Sequence, residues 1–289
     1  MDVALALVAA FFFALGLVLQ EKAASEQPPE SVGAGFLVRL ARQPVWLLGL
    51  LAQGVGFVAQ AIALGIGRLV VVQPLLVSSI VFALPLGRVI EKRPVRRVDL
   101  IGAALVTGGL GALLLISKPS AGEDDASLLS WAVIGGGAVG VAGLLFALAR
   151  GRNSAVRAGL LGAAGGILFG LAAALTKTTV SLLDEGIAAV LWDWHVYALA
   201  IVSVAAFWLE QAALQTGALA AAVATTMAFD PLSSLVFGIA LFDEGLHESA
   251  FGYTISLLSL ATALVGLVIL ARAKGAETPP QASPAPEPA

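Results

Sequence analysis

The sequence predicts an all-α integral membrane protein, with about nine transmembrane helices arranged as two inverted four-helix repeats joined by one linker helix. Three observations predict it. Of 289 residues, 59% are hydrophobic and only 12% charged, with a mean hydropathy of +0.95, which leaves too few charges to coat a soluble globule of this size. Apolar runs near the roughly 20 residues that a helix needs to cross a bilayer recur nine times, bounded by charges, Pro or Gly clusters. Polar landmarks recur in the same order in the two halves.

The first run, 3–20, follows Met1-Asp2 without a basic lead and ends in Gln20-Glu21-Lys22 rather than a small-residue cleavage site, so it is expected to stay attached. Residues 31–42 contain GAGFLVRLAR, too short and too basic to cross, and read as an amphipathic surface segment with Arg39 and Arg42 on its polar side. Runs at 44–64, 69–90 and 99–117 complete a first repeat, 1–120. The run 128–149 is the linker span, and 158–180, 194–215, 218–242 and 251–271 form a second repeat, 158–271. The Pro/Ala/Glu stretch 275–289 has no apolar period to bury and reads as a disordered tail.

Nine spans put the termini on opposite sides of the membrane. Of the 16 Lys and Arg, only Arg68, Lys118 and Lys177 then fall on one side, so the other side is cytoplasmic. The N-terminus is therefore expected outside and the C-terminus inside, in a plasma membrane. The Ala, Gly and Arg-over-Lys bias points to a GC-rich bacterial genome. The outer side carries ten of the 19 acids, among them Asp124, Asp184, Asp193 and Glu248. Such a mouth either raises the local cation concentration or reflects ordinary solubilising acids left where Lys and Arg are depleted.

The duplication is read from text and order. FFFALGLVLQEKAAS in the first span resembles ILFGLAAALTKTTVS in the sixth, setting Lys22 against Lys177. Then come Gln60, Glu91 and LIGAALVTGGLGALLLI in one half, and Gln211, Glu244 and TISLLSLATALVGLVIL in the other. A four-helix unit returns to its starting side, so one linker span inverts the second unit. Inverted repeats are the mark of alternating-access carriers, with the site near midplane.

This 4+1+4 layout, the Lys at the end of the first helix and GVGFVAQAIALGIGRLVVVQPLLVSSIVFALPLGRVIEKR resemble the drug/metabolite transporter superfamily (EamA-like), and most closely its NIPA-type magnesium transporter branch, over about residues 3–271. The resemblance implies this fold and transport of a divalent cation such as Mg2+. Where that branch carries Gly-Glu with Asn-Phe shortly after, this chain has Gln53-Gly54 and Phe57, so that motif's carboxylate is absent.

Two carboxylates lie inside apolar runs, Glu210 in WLEQ and Asp230 in AFDPL. Ionisable groups at that depth are costly, on insertion scales about 2.5–3.5 kcal/mol each, and normally face the bundle interior and serve ions, protons or substrate. Asp230 falls near the bilayer centre, Pro231 frees a carbonyl one turn earlier, and Thr226 shares its helix face at i, i+4 beside Thr225. These are hard oxygen ligands suited to a metal cation or a proton, with a structural, hydrogen-bonded clamp as the alternative. Glu210 belongs to an inner vestibule wall or snorkels to the interface. Gln211, Gln60 and the Ser78-Ser79 pair after Gln73-Pro74 complete the candidate substrate and ion ligands, although such serines often serve interhelical hydrogen bonding.

Lys22 and Lys177 either snorkel, pair with a carboxylate from the facing repeat, for which Glu91 and Glu244 are the natural candidates, or gate. His195 and His247 read as interfacial belt residues beside Trp192, Trp194 and Tyr197. Gly162, Gly166 and Gly170, like Gly136 and Gly140, are spaced for close helix packing within the monomer, with homodimerisation as the alternative.

Function classes follow by exclusion. No basic patch marks a nucleic-acid partner. With no Cys and two His there are no disulfides, no thiolate metal site and no usual zinc spacing, and no cofactor is implied. The acid-rich Asp243-Glu244 with His247-Glu248 has no nucleophile beside it, so no catalytic residue and no enzyme is expected. A secondary carrier moving a cation such as Mg2+ or a small polar solute fits best. A proton-coupled metabolite or drug exporter and a non-transporting membrane scaffold are the alternatives.

Overall fold

The computed structural model describes residues 1–25, 42–90, 92, 95–116, 122–214, 216, 218–244 and 250–275. Every regular element among them is helical. In chain order these are α1 (Asp2–Ser25), α2 (Pro44–Ile66), α3 (Leu69–Ile90), α4 (Arg97–Ile116), α5 (Leu128–Leu148), α6 (Ser154–Ser181), α7 (Trp194–Leu214), α8 (Leu219–Phe242) and α9 (Ala250–Gly275). A 3-10 turn, Leu182–Glu185, and a short helix, Ile187–Trp192, join α6 to α7. Of the sequence expectations, the surface segment up to residue 41, Glu91, His247, Glu248 and the tail from residue 276 lie outside the described residues.

Eight helices, all but α4, are long and apolar enough to cross a membrane. In the fourth expected position α4 is a 20-residue helix that lies along α9. Large apolar side chains cover the outside of the bundle: Leu51 is 66% exposed, and Ile201 and Val204 are each 70% exposed. Water would drive such a coat to aggregate, whereas lipid solvates it. The architecture is that of an all-α, multi-pass membrane protein.

Local chemistry sets the helix ends. Ser127 caps α5 by accepting from the Ser130 amide at 3.1 Å, and Asn153 caps α6 through the Val156 amide at 3.0 Å. Asp243 takes the left-handed conformation (φ 53°) after α8, and the Glu244 amide closes back onto the Gly238 carbonyl at 3.0 Å. Inside α3, Pro74 removes a donor. The amides of Val77 and Ser78 reach only three residues back, to the Pro74 and Leu75 carbonyls at 3.2 and 3.0 Å, and α-helix resumes at Ser79. By contrast, α8 runs through Pro231 without interruption.

The helices pair in a recurring pattern. Helix α1 packs on α2 and α3, as α6 packs on α7 and α8; α4 lies on α9, and α8 crosses the first part of α3. The core axis is α6, 83% buried over its apolar stretch where α5 and α7 are each 22% buried. Its glycines explain this position. A Cβ on Gly162, Gly166 or Gly170 would lie within 3.0 Å of α8 backbone atoms, so only glycine lets the two helices approach this closely. Gly136 and Gly140 differ. Nothing lies within 4 Å of either, because that side of α5 faces outward, so close packing inside the monomer does not account for them.

Replacing Gly166 by Ala is therefore expected to destabilise the fold by about 1–3 kcal/mol through overpacking. Gly140→Ala should be neutral or stabilising by up to ~1 kcal/mol, as for any open helical glycine. Reversible unfolding in detergent mixtures measures both, and equal losses at the two positions would contradict the packing described.

Candidate functional site

Asp230 sits at the middle of α8, whose 24 residues span about 36 Å at 1.5 Å per residue. The α6 glycines hold it against the core: a Cβ on Gly166 would lie 2.6 Å from the Thr226 carbonyl oxygen and 3.0 Å from the Asp230 amide nitrogen. The neighbouring Gly165 faces α7, where its Cβ would lie 3.4 Å from the Glu210 amide nitrogen. Adjacent glycines thus seat both acid-bearing helices on α6, and the two carboxylates lie within electrostatic reach of each other.

Hydroxyls surround the aspartate. Ser234 Oγ donates to Asp230 Oδ1 at 3.5 Å, and Ser233 Oγ lies 3.0 Å from the Asp230 carbonyl and 3.3 Å from that of Gly166. Thr226 donates across the interface to the Gly162 carbonyl at 3.1 Å, while Thr225 bonds within its own helix to Ala221 at 2.8 Å. Ser233 and Ser234 were missed in the sequence reading, although Ser234 falls at i+4 from Asp230 and so shares its face. The arrangement offers hard oxygens to a proton or a cation.

Not every candidate ligand joins this cluster. Ser78 lies at the break of α3, where its hydroxyl donates to the Leu75 carbonyl at 2.6 Å. Gln60, late in α2, and Gln211, late in α7, sit toward opposite ends of the bundle, because the two helices start from opposite ends. Lys22 and Lys177 are likewise at opposite ends, near the close of α1 and α6.

At its own end Lys177 is buried rather than snorkelling. Its ammonium lies 2.6 Å from Glu244 Oε1, with the Glu123 carbonyl at 3.2 Å and the Phe242 ring centroid at 4.5 Å. The partner belongs to the same half of the chain as Lys177. What crosses to the other half is the remainder of the carboxylate: Glu244 accepts from the amides of Leu69 at 3.0 Å and Val70 at 2.9 Å, the first of α3. Glu244 is 0% exposed. Here the carboxylate caps a helix it does not belong to, meeting both unpaired amides and the positive end of its dipole.

The chain before α5 lies over this pair. The Glu123 amide donates to the Phe242 carbonyl at 2.7 Å, and Thr178 Oγ1 to the Asp124 carbonyl at 3.1 Å. Gly122 is required there, since a Cβ would lie 2.6 Å from Glu244 Cγ and 2.7 Å from the Phe242 carbonyl. Beside Lys177 a cavity of about 330 Å³ is lined by Asp2, Gly65 to Arg68, Gly122 and Asp124.

His195 is not a lipid-facing belt residue. Only 3% exposed, it contacts Asp193 through Nδ1 and stacks on Trp194, with its Nε2 3.4 Å from an Asp125 oxygen that also accepts from Trp131 Nε1 at 2.9 Å. The two acids and the indole draw the ring inward, away from lipid.

Removing one partner of the buried pair leaves the other charged and uncompensated. Lys177→Met and Glu244→Gln are each expected to cost about 3–5 kcal/mol. The double variant should lose clearly less than the sum, which unfolding of all four proteins measures as a double-mutant cycle. Strict additivity would mean that the pair carries no coupling.

No family model matches the chain, and no solved structure matches it. It is 26% identical over 269 residues to an uncharacterized protein of Corynebacterium glutamicum, Cgl0250/cg0304, across 92% of this chain and 93% of that one.

Proposed function

We propose that the chain is a secondary carrier that moves a small polar solute or a cation by alternating access between two inverted four-helix units, α1–α4 and α6–α9, with α5 as linker and α4 as a membrane span. The observation that carries this reading is Asp230. A carboxylate at the middle of an apolar helix, with Glu210 in electrostatic reach and both helices seated on adjacent glycines of α6, is expensive in a bilayer and normally marks an ion, proton or substrate path. The matched pairings of α1 with α2 and α3, and of α6 with α7 and α8, support the duplication. Asp230 is the ion-binding group, with Thr226 and Ser234 beside it, and the Lys177–Glu244 contact closes one end.

A divalent cation such as Mg2+ is the cargo that the resemblance implies. Among the described residues no group of three or more His, Cys, Asp or Glu is placed to hold a metal, so Mg2+ at Asp230 would keep most of its water. That observation favours the second reading, in which Asp230 carries the proton of a proton-coupled exporter.

Purified protein in proteoliposomes, with an internal Mg2+ indicator and a pH dye, separates the two. Wild type is expected to move Mg2+ or protons, and Asp230→Asn to slow that flux about tenfold or more, a loss of roughly 1.4 kcal/mol or greater. Equal flux in both proteins would remove Asp230 from the mechanism, and Mg2+ flux without a pH signal would exclude the proton reading.

A further inference from the structure

The cavity beside Lys177 has a charge arrangement that the closing contact does not use. Lys177 is balanced by Glu244, and of its three N–H donors two are taken by Glu244 and the Glu123 carbonyl. The cavity is also lined by Arg68, Asp2 and Asp124. Asp2 lies 3.2 Å from the Met1 amino group. Neither Arg68 nor Asp124 has an ion-pair partner among the described residues, although both line the same space. Charges of both signs in the lining of one cavity of about 330 Å³ fit a guest that carries both. That volume is at the low end of the roughly 300–1,000 Å³ typical of small-molecule sites.

We propose that this cavity is a recognition site for a small zwitterionic solute, one with an oxyanion and a cationic nitrogen a few bonds apart. The oxyanion lies between the Arg68 guanidinium and the remaining N–H of Lys177. The cationic nitrogen lies toward Asp124 and Asp2. Backbone at Gly65–Gly67 and Gly122 forms the rest of the wall, so the guest is compact and polar. A simple cation meets Arg68, and a simple anion meets Asp2 and Asp124, so each half of the ligand alone is opposed by a like charge. This is how a site discriminates by repulsion as well as attraction.

The proposal rests on the carrier reading for its purpose, since it names the class of solute met at this end, but binding is measured without transport. The full chain in detergent is titrated calorimetrically with glycine betaine, L-alanine and L-lysine, and in parallel with acetate, methylammonium and MgCl2. At least one of the three zwitterions is expected to bind saturably, and acetate and methylammonium to bind at least tenfold more weakly, while Mg2+ bound at Asp230 should be unaffected by Arg68→Gln. Arg68→Gln and Asp124→Asn should each weaken the zwitterion roughly tenfold or more, as loss of a charged hydrogen bond does. Neither residue has an ion pair among the described residues, so the fold should persist, which the unfolding midpoint verifies. Asp184→Asn, an exposed acid at the same end and outside the cavity, should bind as wild type does. The proposal is overturned if none of the three zwitterions binds, if acetate or methylammonium binds as tightly, or if Arg68→Gln leaves affinity unchanged. Zwitterion binding without any flux would sink the carrier reading and leave the site standing. Mg2+ or proton flux without zwitterion binding would do the reverse.

Discussion

A carboxylate with no solvent exposure needs its full set of donors nearby, and Glu244 finds them in two distant parts of the chain. The amides that open α3, the ammonium near the close of α6 and the turn that ends α8 are brought together by one side chain. Hydrogen bonds to a charged group contribute about 1.5–3 kcal/mol each, but losing one while the charge stays buried costs the desolvation as well. Such an end cannot loosen by degrees. Moving α3 away from α8 uncaps two amides and strands a charge at the same moment, so the contact is either made or replaced as a unit. The Glu123 carbonyl on Lys177 and Gly122 against Glu244 Cγ tie the stretch before α5 to that same event.

The second constraint is steric. Burying α6 on several sides requires neighbours that come within backbone contact, and only residues without a side chain permit that along the α8 face. Consequently Asp230 is fixed by main-chain geometry rather than by long side chains, its own amide nitrogen lying 3.0 Å from where a Gly166 Cβ would stand. A carboxylate placed this way keeps its oxygens available, with Ser234 donating to only one of them among the described residues.

Much of the helix plan was legible because apolar length is a strong signal: each expected span corresponds to a helix, with boundaries that differ by a few residues. The spacing of Gly162, Gly166 and Gly170 likewise pointed to close packing. Periodicity alone could not say which glycines meet a neighbour, since Gly136 and Gly140 have the same spacing and face open space. Glu244 was legible as the partner of a lysine, but of one in the facing repeat rather than of Lys177 in its own half. The Leu69 and Val70 amides were not, because backbone donors carry no side-chain signature, and their availability depends on where α3 begins. His195 was misplaced for a related reason. Its flanking Trp192, Trp194 and Tyr197 resemble a belt, and only folding brings Asp125 and Trp131, far away in sequence, to draw the ring inward.

The two halves are alike in their pairings but not in their chemistry, and that difference limits what the molecule can do. At mid-depth α8 carries a carboxylate in an unbroken helix, while α3 carries a break at Val77-Ser78 whose hydroxyl already serves the Leu75 carbonyl. Breaks expose backbone carbonyls and amides, which interact with ions as partial charges, whereas a carboxylate brings a full charge that must be balanced or protonated. Both carboxylates inside the apolar helices, Glu210 and Asp230, belong to the second half. The first half offers irregular backbone in their place. The first turn of α3 is capped by Glu244 of the second half, so the broken helix is held across the interface at one end and has its irregular backbone near the centre.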